Sequence, residues 1–150
     1  MTEPRRYIST PSGLLLVLRQ GDEVLASLEA LMRDESIPSA TVSGFGFVAT
    51  ARFGFFDFTK GDYDARDFQE LEITALNGTL AWKDGAPSVH AHASGGDRNF
   101  GVVGGHVLGL RVGRGSFEIT VQVHARRLER RLDPGIGANV LQLDSSGLEA

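Results

Sequence analysis

Cysteine is absent from the 150-residue chain, and that omission removes several chemistries together. Disulfides, thiolate-held zinc and thiol nucleophiles all need the sulfur. The lack suits a reducing compartment, and a cytoplasmic location is the expectation it carries. Basic charge is also short: 15 Lys and Arg against 19 Asp and Glu leave a formal net charge of −4. A surface that binds nucleic acid unaided is usually basic, because neutralising phosphates and releasing counterions supplies most of the affinity. DNA is therefore not expected as a partner of this chain by itself. Long apolar runs are missing too. Leu14 to Leu18 is far too short for a membrane span or the usual core of a secretion signal. No Walker loop occurs, and Gly44-Phe45-Gly46 lacks the third glycine and following helix of a dinucleotide fingerprint.

What remains describes a packed domain. The apolar share is 41%, ordinary for a globular core, and the length suits one domain over residues 1–150. Nineteen glycines punctuate the apolar runs, as expected for tight turns between strands. Leu14 to Leu18 reads as a buried strand. Asp22 stands where an N-cap belongs, and Val24, Leu25, Leu28, Leu31 and Met32 follow at helical spacing until Pro38 stops the helix. Strands fill the rest. Val48 to Phe58 is aromatic, Lys60 to Asp64 reads as a loop, and Leu71, Ile73 and Ala75 alternate with polar residues. Asn77-Gly78 and Asp84-Gly85 read as turns. Val89–Ser94 and Val102–Leu110 form a hairpin, Phe117 to Val123 alternates, and Val140 to Leu143 is a candidate edge strand. Arg126, Arg127, Arg130 and Arg131, broken by Glu129, read as the solvated face of a turn or short helix. The class is α+β: one main helix on a mixed, largely antiparallel sheet.

Three of the chain's four histidines stand in Val89-His90-Ala91-His92-Ala93-Ser94 and Gly104-Gly105-His106. Residues i and i+2 of a strand share a face, with Cα atoms about 6.5 Å apart, so two imidazoles can converge on one ion. Ala91 and Ala93 point the other way and leave room for another element behind. A hairpin centred near Arg98 puts His106 opposite His90 and Gly104 opposite His92, all on one face. Three nitrogen ligands leave a fourth position open, the pattern of a catalytic rather than a closed structural site. Zinc is the first choice, then nickel, cobalt or iron. The plainer reading, polar residues on a solvent-facing strand, is the commoner one for His-x-His alone, and it is the third histidine beside two glycines that sets the metal reading level with it. Glu72, Asp97 and Glu118 are candidate carboxylates beside such a site, as general base or as partner to a histidine's second nitrogen, and Glu70 belongs to the same acidic group. Polar strand faces explain them too.

In order and spacing these pieces resemble the PPC domain, the plant and prokaryote conserved domain. The pattern spans about residues 14 to 124: Gln20-Gly21-Asp22-Glu23, Gly44-Phe45-Gly46, Leu71-Glu72-Ile73, Leu76-Asn77-Gly78, His90-Ala91-His92, Asp97, Gly104-Gly105-His106 and Phe117-Glu118-Ile119. Residues 125–150 form an extension outside it. The resemblance implies a homotrimer, a fold similar to acetolactate decarboxylase, and His90, His92 and His106 as metal ligands. A metal-dependent enzyme or binder of a small-molecule ligand is one functional reading. The other is a DNA-associated or transcription-regulatory interaction module, although the Arg-Gly-Arg-Pro hook of plant relatives is absent here. Phe53, Phe55 and Phe56 crowd one strand, and the apolar surface they leave suits a subunit interface.

Overall fold

The computed structural model describes residues 5–144. The chain runs β1 (Tyr7–Thr10), β2 (Gly13–Arg19), α1 (Val24–Asp34), β3 (Ser39–Asp57), β4 (Asp62–Lys83), β5 (Ala86–Gly96), β6 (Val102–His124), β7 (Glu129–Asp133) and β8 (Ala138–Gln142). All pairings are antiparallel except the single parallel contact of β4 with β7 at Trp82 and Glu129, so the sheet is mixed. Four strands close on one another: β3 pairs with β4 and β6, and β5 pairs with the same two.

Strand alternation decides which side chains enter the core. Leu14, Leu16 and Leu18 of β2 are buried, while Leu15 and Val17 between them are only partly covered. In α1 the residues Val24, Leu28, Leu31 and Met32 form the buried stripe, and the helix packs on β5 and β6. The cap differs from expectation by one position. Glu23 occupies it without a side-chain bond, while Asp22 accepts the Arg19 N–H at 2.8 Å and pairs with Arg6 Nε at 3.0 Å. An ion pair available in the tertiary structure has taken the carboxylate that the local rule assigned to the helix.

Asp84-Gly85 is a hairpin turn, with φ of 51° and 79° and Lys83 paired to Ala86. Asn77-Gly78 is not a turn. It lies inside β4, paired with His92 and Ala91. Gly78 is there for contact: a Cβ would stand 2.8 Å from the Ala91 Cβ and closer still to the His90 carbonyl. Lys60–Asp64 is likewise shorter as a loop than expected, because β4 begins at Asp62. Leu110 and Phe117 also belong to one strand, β6, which continues past the glycines between them through register shifts against β3.

The arginine-rich stretch divides in two: Arg126 and Arg127 form an exposed bend, in keeping with the solvated turn, whereas Arg130 and Arg131 lie in β7 and Arg130 is buried. Arg127 lies over the Trp82 ring at 4.3 Å, and the Trp82 N–H donates to the Leu128 carbonyl at 2.9 Å. Ser39 Oγ donates to the Arg126 carbonyl at 2.7 Å. These contacts dock the β7–β8 hairpin beside the edge of β4, with β8 outermost as the edge strand.

Gly78→Val should destabilise the protein by about 1–3 kcal/mol through overpacking against β5. The urea midpoint at constant slope measures it, and an unchanged midpoint would contradict the close approach.

Candidate metal centre

Ala91 and Ala93 of β5 turn into the core and are 2% and 7% exposed, with α1 behind that strand. The same alternation turns Ser88, His90 and His92 outward. On β4, Thr79 stands opposite His90 and Asn77 opposite His92. On β6, His106 stands opposite His92, not His90 as expected, and Gly104 stands opposite Ser94. The cause is in the loop. Asp97 N–H donates to the Gly101 carbonyl, Asp97 Oδ1 accepts the Asn99 and Gly101 N–H groups, and Phe100 adopts φ 64°. The tip therefore centres on Asn99 instead of Arg98. A displacement of the pairing by two residues keeps every side chain on its face, so the histidines still converge.

The three imidazole centroids are 5.1 to 5.4 Å apart in pairs, and one ligand nitrogen from each lies within 4.8 Å of the others. His90 Nε2 and His92 Nε2 are 3.3 Å apart. Two nitrogens on a tetrahedral ion, each about 2.0–2.1 Å from it, stand roughly 3.3–3.4 Å from one another. The His90–His92 spacing and the all-imidazole donor set therefore suit a metal ion. Burial holds the His106 imidazole down to about 4, helped by the charges of His90 and His92. Burial also lowers His90, with Arg130 and His92 adding to it. Neutral imidazoles are the form that binds metal, so ligation here expels few protons near neutral pH.

Tyr63 stacks on His106 with ring centroids 4.5 Å apart, and its hydroxyl is 3.3 Å from His106 Nδ1. That contact orients the ring and leaves Nε2 toward the other histidines. Burial raises the Tyr63 phenol, with Asp62 adding to it. Tyr63 reaches His106 across Gly54, where a Cβ would stand 2.7 Å from its Cδ1. A lone glycine between Phe53 and Phe55 was the signal in the sequence for this residue.

Arg130, in the extension, lines the same cavity of about 830 Å³ as the three histidines and Tyr63. It was not distinguishable in the sequence from the arginines around it. Glu72 and Asp97 instead line a separate cleft with Glu70 and Arg98, and Glu118 lines another with Ser43 and Thr120. Asp97 serves the β5–β6 loop, as its bonds to Asn99 and Gly101 show. None of the three carboxylates lines the histidine cavity.

An elongated strand ring carrying three outward histidines defines the class: a sheet domain with an open imidazole site. The family model for the Plants and Prokaryotes Conserved (PCC) domain matches residues 6–125, and the chain belongs to that family. Among solved structures it is similar to a candidate DNA-binding protein from Ralstonia eutropha JMP134, with 51% identity, TM-score 0.91, and 93% of this chain and 96% of that one covered. It is similar to a plant- and prokaryote-conserved protein from Pyrococcus horikoshii at 26% identity and TM-score 0.81, over 95% of this chain and 96% of that one. It also resembles a metal-containing protein from Archaeoglobus fulgidus at 27% identity and TM-score 0.77, over 85% and 91%. A more distant likeness to alpha-acetolactate decarboxylase from Bacillus subtilis strain 168, at 12% identity and TM-score 0.57 over 82% of this chain and 56% of that one, concerns the fold alone. No curated protein matches the sequence. Among the described residues no helix is long and apolar enough to cross a membrane.

The pH dependence of the metal-free protein follows from His106. Its folded value near 4 lies below the ordinary 6.5, so the unfolded chain binds the proton more readily. The stabilisation is whole above about 6.5 and is lost as pH falls through about 4. Urea midpoints across that range should fall in the wild type and fall less steeply in His106→Gln. Parallel curves would contradict the burial of this imidazole.

Proposed function

We propose that this protein is a metal-binding member of its family, holding one zinc-like ion on His90, His92 and His106 with a position left open for a small molecule. The 3.3 Å separation of the His90 and His92 Nε2 atoms carries the reading, because it matches two ligands of one tetrahedral ion. The metal-containing relative from Archaeoglobus fulgidus supports it. When bound, such an ion supplies Lewis acidity toward a carbonyl or a water. The chain's own residues do the rest. Tyr63 orients His106, burial keeps His106 and His90 unprotonated, and Phe55, Phe56 and Leu132 give one side of the cavity an apolar lining. Zinc is the first choice of ion because all three donors are imidazole nitrogens.

A second reading, a DNA-associated or regulatory module, is favoured by the name of the 51% identical relative. Against it stands the net charge of −4, and the buried Arg130 is withdrawn from any basic face.

The domain acts as a homotrimer in this reading. Phe55 is 78% exposed, Phe58 67% and Leu132 62%, an apolar group at the mouth of the histidine cavity whose outer side a second copy would cover, leaving the cavity at the subunit boundary. A closed cyclic assembly buries such a patch without leaving free ends. The proposed location is the cytoplasm, in keeping with the absence of cysteine.

Protein purified under metal-replete conditions should carry about one zinc-like ion per chain, and His92→Ala should lose it while its melting remains cooperative. Elemental analysis with calorimetry reads both, and metal-free wild type would sink the reading. Light scattering at micromolar concentration should return a mass near three chains. A clean monomer over a wide dilution range would remove the trimer.

A further inference from the structure

Arg130 is 4% exposed, yet among the described residues no carboxylate pairs with it. Its Nη1 donates to the Ser88 carbonyl at 2.6 Å and to Ser88 Oγ at 3.2 Å. Its Nη2 donates to the Thr79 carbonyl at 3.0 Å and to the Thr79 hydroxyl. These neutral oxygens satisfy the hydrogen bonds and leave the charge uncompensated. An ionised group held out of water without a counter-charge is costly, and proteins keep such groups where something else meets them. The place is specific. Ser88 and His90 share a face of β5, and Thr79 is the cross-strand partner of His90. The guanidinium thus sits on the histidine face, and its charge reaches His90.

The rest of the cavity has a matching character. Phe55, Phe56 and Leu132 supply an apolar wall, and Asn139 adds an amide from the same hairpin as Arg130. Among the described residues Asp62 is the one acidic side chain in the lining, and it lies exposed, where solvent screens it. The part of the site that carries Arg130 follows Ala125, so it is contributed by chain beyond the matched family region.

We propose that this cavity selects a small organic oxyanion, a carboxylate or phosphonate head drawn by Arg130 toward the histidines, with an apolar body resting on Phe55, Phe56 and Leu132. Arg130 acts through its field from its buried position at the histidine face, its four terminal N–H groups being already engaged. It is a selectivity residue and not a direct ligand. The inference names the ligand class for the metal reading above, yet the role of Arg130 does not need the ion.

Titration calorimetry with phenylacetate, phenylphosphonate and the neutral phenylacetamide tests it, on zinc-free and on zinc-loaded protein. In zinc-free wild type at least one anion should bind about tenfold more tightly than the amide, a difference of one attractive charge at short range. The two anions separate a carboxylate-selecting from a phosphonate-selecting site. Arg130→Gln should bring acid and amide to within about twofold, while Arg130→Lys should keep the preference. Equal affinity of acid and amide for zinc-free wild type, no binding of either anion at millimolar concentration, or a preference unchanged in Arg130→Gln would overturn the inference. The wild-type comparison stands even where a variant fails to fold. Zinc content is measured separately, so a protein that holds no metal but prefers the anions refutes only the metal reading.

Discussion

Everything at this site depends on β5 being paired on both sides, to β4 along most of its length and to β6 at its C-terminal half. A strand held by two neighbours cannot slip by one residue without turning its whole inner set outward. Here the inner set is Ala91 and Ala93, and the outer set is Ser88, His90 and His92. Burial of two methyl groups against α1 thereby fixes the direction of two imidazoles. Small residues serve the purpose because the helix must lie close. Gly78 continues the same demand on the neighbouring strand, where even a methyl group meets Ala91.

That constraint also explains how the cavity is assembled from distant chain segments. His106 arrives with β6, Tyr63 with β4 across the gap at Gly54, and Arg130 with the final hairpin. The hairpin is anchored by groups that have no part in the cavity: Trp82 with Arg127, and Ser39 with the Arg126 carbonyl. Arg130 then inserts at Thr79 and Ser88, next to His90. The result is a pair of opposed demands at one place. Imidazoles kept neutral favour a cation, and a buried guanidinium favours an anion. A metal ion and an anionic ligand together would satisfy both.

Glu72, Asp97 and Glu118 illustrate how polar strand positions mislead. Each lies close to the histidines in sequence or in a flanking strand, yet Glu72 and Asp97 face one cleft and Glu118 another, neither of them the histidine cavity. Long strands separate residues that their shared sheet suggests are neighbours: β4 runs from Asp62 to Lys83, so Tyr63 on it lines the cavity and Thr79 holds Arg130, while Glu72 between them lines another cleft. Bending at the register shifts carries the strand from one place to the other.

The alternation of His90-Ala91-His92, the stripe of α1 and the turn at Asp84-Gly85 were legible in the residues, because each rests on a periodicity of two or 3.6 or on a backbone angle that few residues adopt. So was the existence of a three-histidine group, since a hairpin brings His106 back to the same face under either of two registers. What pairs with what was not legible. Asn77-Gly78 has the composition of a turn and the position of a strand, and Asp22 has the chemistry of a cap and the partner of an ion pair. Arg130 differs in nothing from Arg131 until the hairpin docks and buries one of them. Only the tertiary structure decides such cases, because burial and pairing are properties of neighbours far along the chain, whereas periodicity and turn angles belong to residues next to one another.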